Sequence, residues 1–169
     1  MVEARGWAEK FEKWIRKVPG MKGYQDKEAF RDCDKAVRLK IAGELAGVKD
    51  VLNLWKRDLV DEGKIKDLDK VDRVLRRIEG LADKIKYDSY GYSGYFDPVK
   101  IREPELDQLY RFDLGLFDGA DRIKDATQSA RLTGSSDVKA GVRTMEDAIS
   151  AFEKHLEERR SFGLSSPPV

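Results

Sequence analysis

The chain has 169 residues, 40% of them hydrophobic, and its 33 basic and 32 acidic residues leave a net charge of +1. This length fits one domain, and the balanced charge excludes a general electrostatic attraction to nucleic acid. A single cysteine, Cys33, excludes an internal disulfide, and no apolar run approaches the ~18 residues that cross a bilayer. Because Glu3, Glu9 and Glu12 lie where a signal peptide would be apolar, we expect a cytoplasmic protein.

The N-terminal segment, residues 1–20, contains the amphipathic stretch GWAEKFEKWIRKVPG. On a helix its apolar side chains fall within an arc of about 100°, lysines flank them, and Pro19 and Gly20 end the helix. Tryptophans and lysines in this arrangement suit a helix that lies in a membrane surface or against a partner. The alternative is that the apolar stripe packs as a further member of a bundle. The predicted membrane- or partner-binding residues are Trp7, Lys10, Phe11, Trp14, Ile15, Lys17 and Val18.

Two long helices follow, because apolar residues recur at intervals of three and four. The first is predicted over residues 27–62 and ends at Gly63, a favourable C-terminal stop. The second is predicted over residues 65–87, with Gly80 as its weak point. The first helix has apolar residues beside its main stripe, which favours self-association. These are Leu39, Ala42, Ala46, Val51 and Leu54.

The stretch YDSYGYSGYFDPVKI, residues 87–101, then concentrates aromatic residues around Gly91 and Gly94, which oppose a regular helix. Tyrosine buries a large ring and keeps its hydroxyl near water or a polar partner. The aromatic residues therefore either plug the end of a bundle or form an exposed patch for a ligand or partner. The predicted cluster comprises Tyr90, Tyr92, Tyr95 and Phe96, together with Asp113.

This stretch, followed by ELDQLYRFD at residues 105–113, resembles a family of small uncharacterised prokaryotic helical proteins, and VPGMKGY at residues 18–24 belongs to the same pattern. The resemblance covers about residues 18–117, and Ser93, Tyr95 and Pro98 depart from the pattern. It implies that the tyrosine connection is a defining part of the fold. It implies no activity, because the family has no established function. The similar positions are Tyr90, Gly91, Tyr92, Gly94, Phe96, Asp97, Lys100, Leu106, Asp107, Tyr110, Phe112 and Asp113.

A third helix is predicted to begin near Pro104, and small residues toward its end permit close helix packing. TGSSD, residues 133–137, separates it from a fourth helix, for which Ser136 or Asp137 is the expected N-cap. Residues 162–169 show no period, and we expect a disordered tail.

These elements predict an all-α fold: an antiparallel bundle of about four long helices at residues 21–161, preceded by the short amphipathic N-terminal helix. Short connections make consecutive helices antiparallel neighbours, and each apolar stripe needs a partner. The alternative is an open coiled-coil hairpin of the first two long helices, with the remainder folded back or used in assembly.

Few residues carry chemistry. His155 is the only histidine and cannot build a His-rich zinc site, so neither a metal nor another cofactor is expected. Cys33 lies on an apolar stripe, which favours a buried, inert thiol. Asp113 shares a helix face with apolar residues, so its carboxylate needs a partner or solvent. A hydrogen bond from a tyrosine is the favoured interpretation, and a catalytic or ligand-binding role is the alternative.

The sequence therefore favours a non-enzymatic adaptor or assembly protein that acts through its surfaces, with no catalytic residue. Its expected partner is a protein or a second copy, with the inner face of the membrane as an alternative location. One rival hypothesis is a ligand-binding or enzymatic bundle with a pocket at the tyrosine connection. Another is a self-assembling coiled-coil scaffold.

Overall fold

The computed structural model describes residues 27–87, 103–133 and 137–165, with side chains described at 35–87, 108, 111–133 and 137–162. Every regular element in these ranges is helical, which confirms the predicted all-α fold. A 3₁₀ turn, Ile65–Asp67, precedes the second α-helix, so α-helix begins slightly later there than predicted. The helices are α1 (Lys27–Asp61), α2 (Leu68–Tyr87), α3 (Glu103–Leu132) and α4 (Val138–Ser165).

Ion pairs between neighbouring helices give their directions. Lys49 of α1 lies 3.0 Å from Glu79 of α2, and Lys56 pairs with Asp72. The residue numbers of the pairs therefore increase along α1 and decrease along α2. These two helices therefore form an antiparallel hairpin.

The α3–α4 hairpin is antiparallel as well, and it lies beside the first hairpin. Arg131 near the end of α3 donates to Asp58 near the end of α1 at 2.8 Å, so α1 and α3 run parallel. Arg77 of α2 donates to Glu153 of α4 at 2.6 Å, and Lys84 lies near Glu157, two turns further along α2 and one turn further along α4. Contacts join α1 to α2, α2 to α4, α4 to α3 and α3 to α1. This closed ring of four helices shows that the open-hairpin alternative is wrong.

Two helix ends follow the chemistry that the sequence predicts. Gly63 has a φ of 73°, its N–H donates to the Val60 carbonyl, and the Lys64 N–H donates to the Leu59 carbonyl. This is the Schellman arrangement, in which glycine supplies the left-handed residue after the helix. At α4, the Ala140 N–H donates to Asp137 Oδ1 at 2.9 Å, which makes Asp137 the N-cap.

The core runs along the bundle axis and receives one apolar stripe from each helix. Trp55 is fully buried, and its Nε1–H finds no hydrogen-bond partner among the described residues, which costs about 1–3 kcal/mol. Other fully buried side chains are Ile41, Leu45, Leu52, Leu59, Ile78, Ile123, Met145, Ile149 and Phe152.

Small residues on α3 and α4 bring these two helices close together. A Cβ added at Gly119 would stand 2.8 Å from the Phe152 ring, and one at Gly141 would stand 2.8 Å from the Cβ of Ala130. Both distances are shorter than real Cβ contacts, so the helices approach as closely as glycine allows. The prediction of close packing near the end of α3 is confirmed.

The predicted tail is partly wrong, because α4 continues through Ser165. Phe162 is half-buried, and its ring centroid lies 5.6 Å from that of Phe112 on α3, so an aromatic contact extends the helix. The predicted N-terminal helix, residues 1–20, lies outside the described residues. Among the helices described, none combines the length and the apolar character needed to cross a bilayer.

Candidate contact surface and buried polar cluster

Of the residues that the sequence predicts to be functional, the structure describes only Asp113. Asp113 lies on α3 and is described, whereas the predicted contact residues of the N-terminal helix and the four aromatic residues of the connection lie outside the described residues. Those outside are Trp7, Lys10, Phe11, Trp14, Ile15, Lys17, Val18, Tyr90, Tyr92, Tyr95 and Phe96.

Asp113 forms a buried ion pair with Arg159 of α4. Arg159 Nε donates to Asp113 Oδ1 at 2.6 Å, and the two residues are only 5% and 6% exposed, respectively. A short, charge-assisted hydrogen bond of this kind offsets part of the cost of removing both charges from water. The pair therefore fixes α4 against α3 near the end of the bundle at which α3 begins.

His155 packs beside this pair. Its Nε2 lies 3.1 Å from the carbonyl oxygen of Phe112, and because a carbonyl only accepts, Nε2 carries the proton. The imidazole ring also lies 5.4 Å from the Phe112 ring, measured between centroids, and it fills the space beside Gly115. We define the buried pair Asp113 and Arg159, together with the half-buried His155, as the buried polar cluster.

The arrangement of the buried polar cluster favours a structural role. The Asp113 carboxylate is engaged by a guanidinium, and the protonated imidazole nitrogen is engaged by a backbone carbonyl. In the part of the chain that the structure describes, no three metal-ligating side chains gather. The cluster thus joins α3 to α4 through side chains that already have partners.

A second feature is the side of α1 that faces away from the core, which we call the α1 outer surface. It begins beyond the first turns of α1 and extends to the helix end, and all its members are exposed. Seven of them repeat with alternating steps of four and three, the spacing at which a helix packs along another helix. The α1 outer surface comprises Leu39, Gly43, Ala46, Gly47, Asp50, Asn53, Leu54, Arg57, Val60 and Asp61.

Toward its C-terminal half, the α1 outer surface borders a groove of about 630 Å³ that reaches Leu68 at the start of α2. Leu54 and Val60 line the groove and are 40% and 50% exposed. Asp50 and Arg57 line it too, and neither forms an ion pair with any residue that the structure describes. The groove therefore combines exposed aliphatic groups with unpaired charges of opposite sign.

Unlike the charges in the groove, the charged side chains between neighbouring helices form ion pairs within the bundle. A hydrogen bond from Lys40 lowers the pKa of Glu44, burial opposes this shift, and Lys124 of α3 adds to it. A hydrogen bond to Glu153 raises the pKa of Arg77, again against the effect of burial. These pairs stabilise the charged forms at helix–helix boundaries, so their charges are committed to the fold.

Sequence reasoning missed Arg159 as the partner of Asp113. The apolar stripe of α4 includes Ile149, Phe152 and Leu156, and the next position of the same spacing is 159, which lies on the core side. An arginine that continues an apolar stripe requires a buried acid, and Asp113 is the acid on an apolar face of the neighbouring helix. Extending the spacing by one step was the available signal.

Comparisons with known proteins do not assign this chain to a family. No family model matches it, and neither any curated protein nor any solved structure does. The resemblance to the uncharacterised prokaryotic family therefore stays a prediction.

Proposed function

We propose that this protein is a non-enzymatic assembly protein, a helical bundle that binds another helical chain through the α1 outer surface. The observation that carries the proposal is the open groove in which Leu54 and Val60 are exposed beside Asp50 and Arg57. An apolar centre with polar groups at its edge is the usual composition of a protein contact surface.

The exposed side of α2 provides a contrast. Arg73, Arg76, Asp83 and Lys86 are exposed there, so that surface is strongly charged and suited to water. The α1 outer surface instead intersperses glycine, alanine, leucine and valine with three charges, those of Asp50, Arg57 and Asp61. Binding through α1 therefore buries more apolar groups and desolvates fewer charges than binding through α2.

Two alternatives remain proposals of lower rank. The ligand-binding or enzymatic bundle needs an available Asp113, and the Arg159 guanidinium already engages that carboxylate. The membrane-surface hypothesis depends on Trp7, Trp14 and their neighbours, which lie outside the described residues. Neither alternative has a described surface comparable with the α1 outer surface in support of it.

The test is site-specific photocrosslinking in the cells that produce the protein. A photoreactive amino acid replaces Leu54 in one variant and Arg76, an exposed residue of α2, in a matched control. We expect a discrete protein adduct from position 54, a much weaker one from position 76, and loss of the first adduct when Val60→Glu is added. Equal adducts from both positions, or none from position 54, would contradict the proposal.

A further inference from the structure

We propose that the partner of the α1 outer surface is a second copy of this chain, bound antiparallel about a two-fold axis, with Asp50 of each copy paired to Arg57 of the other. This inference rests on the proposed function, because it names the partner of the same surface.

The charges decide the orientation. Asp50 and Arg57 lie on the same side of α1 about 10 Å apart along the helix axis, at 1.5 Å rise per residue. A parallel pair of α1 helices in register sets Asp50 against Asp50 and Arg57 against Arg57, which is repulsive at both positions. An antiparallel pair centred between residues 53 and 54 sets each Asp50 against an Arg57. Two-fold symmetry then forms the same ion pair twice.

The apolar groups agree with this register. Leu54 lies at the axis, so the two copies of Leu54 meet at the centre of the contact. Val60 of one copy lies opposite Ala46 of the other, one residue from the level of Gly47, and a Cβ added at Gly47 has no heavy atom of its own chain within 4 Å. An exposed valine therefore meets a short side chain beside a residue that has none. The central leucines and the two valines supply the buried apolar area, and the ion pairs set the register.

The size of the contact predicts its strength. From Leu39 to Asp61 the α1 outer surface is about 33 Å long, which is one helix face per copy and the lower end of specific interfaces. We therefore expect a dissociation constant on the order of micromolar and a reversible equilibrium between monomer and dimer.

The first experiment measures association of the full chain by sedimentation equilibrium, over a range from about 1 µM to 1 mM that brackets the expected constant. Asp50→Arg and Arg57→Asp each create two like-charge contacts in the antiparallel dimer, and we expect each to weaken it by about 100-fold or more. Mixing the two variants in equal amounts restores both opposite-charge contacts, so the mixture forms a heterodimer with affinity within about tenfold of the unaltered chain. Arg76→Asp, the same reversal on α2, leaves the association unchanged. Circular dichroism of each variant checks that the bundle remains folded.

The second experiment tests the orientation by disulfide formation in a Cys33→Ser background. Asn53→Cys lies beside the two-fold axis, so it oxidises readily to a dimer of twice the 19.3 kDa chain mass. Val60→Cys does not, because its two copies lie about 20 Å apart in this register and a disulfide needs Cα atoms within about 7 Å. A mixture of Ala46→Cys and Val60→Cys cross-links between unlike chains, because these two positions lie on the same edge of the antiparallel contact.

The outcomes separate this inference from the proposed function. A chain that stays monomeric throughout, or a dimer that neither charge reversal weakens, overturns the self-pairing. Efficient self-cross-linking at position 60 overturns the antiparallel orientation. If the self-pairing fails, a photocrosslinked adduct from position 54 whose mass differs from twice that of the chain leaves the proposed function standing with another partner. If only the orientation fails, an adduct of twice the chain mass leaves the proposed function standing with the same partner. Absence of that adduct removes the proposed function itself.

Discussion

Replacing Arg159 with methionine keeps a long side chain at this position but removes its charge from the buried polar cluster. Asp113, 6% exposed, then loses a donor that stands 2.6 Å from its Oδ1. Removing one partner of a buried ion pair costs about 3–5 kcal/mol. For a chain of this size, about 2–4 °C per kcal/mol predicts that the melting temperature falls by roughly 6–20 °C.

The matched control removes both charges. In Asp113→Leu with Arg159→Met, no buried carboxylate is left without its guanidinium, and replacing a buried pair by apolar groups of similar volume is commonly neutral or stabilising by about 1–4 kcal/mol. We therefore expect the double variant to be more stable than Arg159→Met alone. The difference between the double variant and the sum of the single ones gives the coupling of the pair.

The pH dependence gives a second readout. In Arg159→Met the Asp113 carboxyl no longer faces a guanidinium, and burial favours its neutral form, so the folded chain takes up the proton more readily than the unfolded chain. The free energy of unfolding of this variant, relative to the double variant, therefore rises as the pH falls from 7 to about 5. Urea titrations followed by circular dichroism measure it. A loss below about 1 kcal/mol at pH 7, or a difference independent of pH, would refute the reasoning that the pair is desolvated.

Two further predictions concern stability. Gly80 is exposed, and a Cβ added there has no neighbouring atom within 4 Å, so Gly80→Ala should raise the free energy of unfolding by about 0.5–1 kcal/mol. A Cβ added at Gly115 meets the His155 ring, so Gly115→Ala should lower the free energy of unfolding by about 1–3 kcal/mol. Equal effects in urea titrations would show that α3 and α4 do not pack as described. Because a hydrogen bond from Lys40 lowers the pKa of Glu44, its contribution is present above the ordinary glutamate pKa and is lost as the pH falls through the lowered value. Glu44→Gln should therefore flatten the acid limb of a melting-temperature profile, and an unchanged limb would contradict this.

The helices and their ends were predictable because their signals are local. Intervals of three and four between apolar residues need no knowledge of the rest of the fold. Gly63 and Asp137 act on backbone groups within one turn of themselves, so their roles as helix stop and N-cap follow from the residue type and its position.

Contacts between segments that are distant in sequence were harder to predict than the helices. Asp113 was identified as an acid in need of a partner, but a sequence does not state which helix lies opposite, and a tyrosine of the nearby connection was the local choice. Arg159 becomes the natural partner only when α3 and α4 are known to be adjacent and antiparallel. The same reason explains the end of α4: the contact of Phe162 with Phe112 is a tertiary interaction, and the sequence after residue 161 has no period of its own.

The composition of the α1 outer surface is difficult to explain as adaptation to water. Gly43 and Gly47 have no atoms near an added Cβ, so packing within the chain does not require glycine, and each costs about 1 kcal/mol of helix stability relative to alanine. Exposed Leu54 and Val60 add apolar area that a purely solvated surface does not need. A contact surface benefits from both features, because absent side chains admit a close neighbour and exposed aliphatic groups gain from burial. If the chain bound nothing through α1, Gly43→Ala and Leu54→Lys would both be neutral or favourable. If it dimerises as proposed, Leu54→Lys places two cations at the symmetry axis and weakens the contact at its centre.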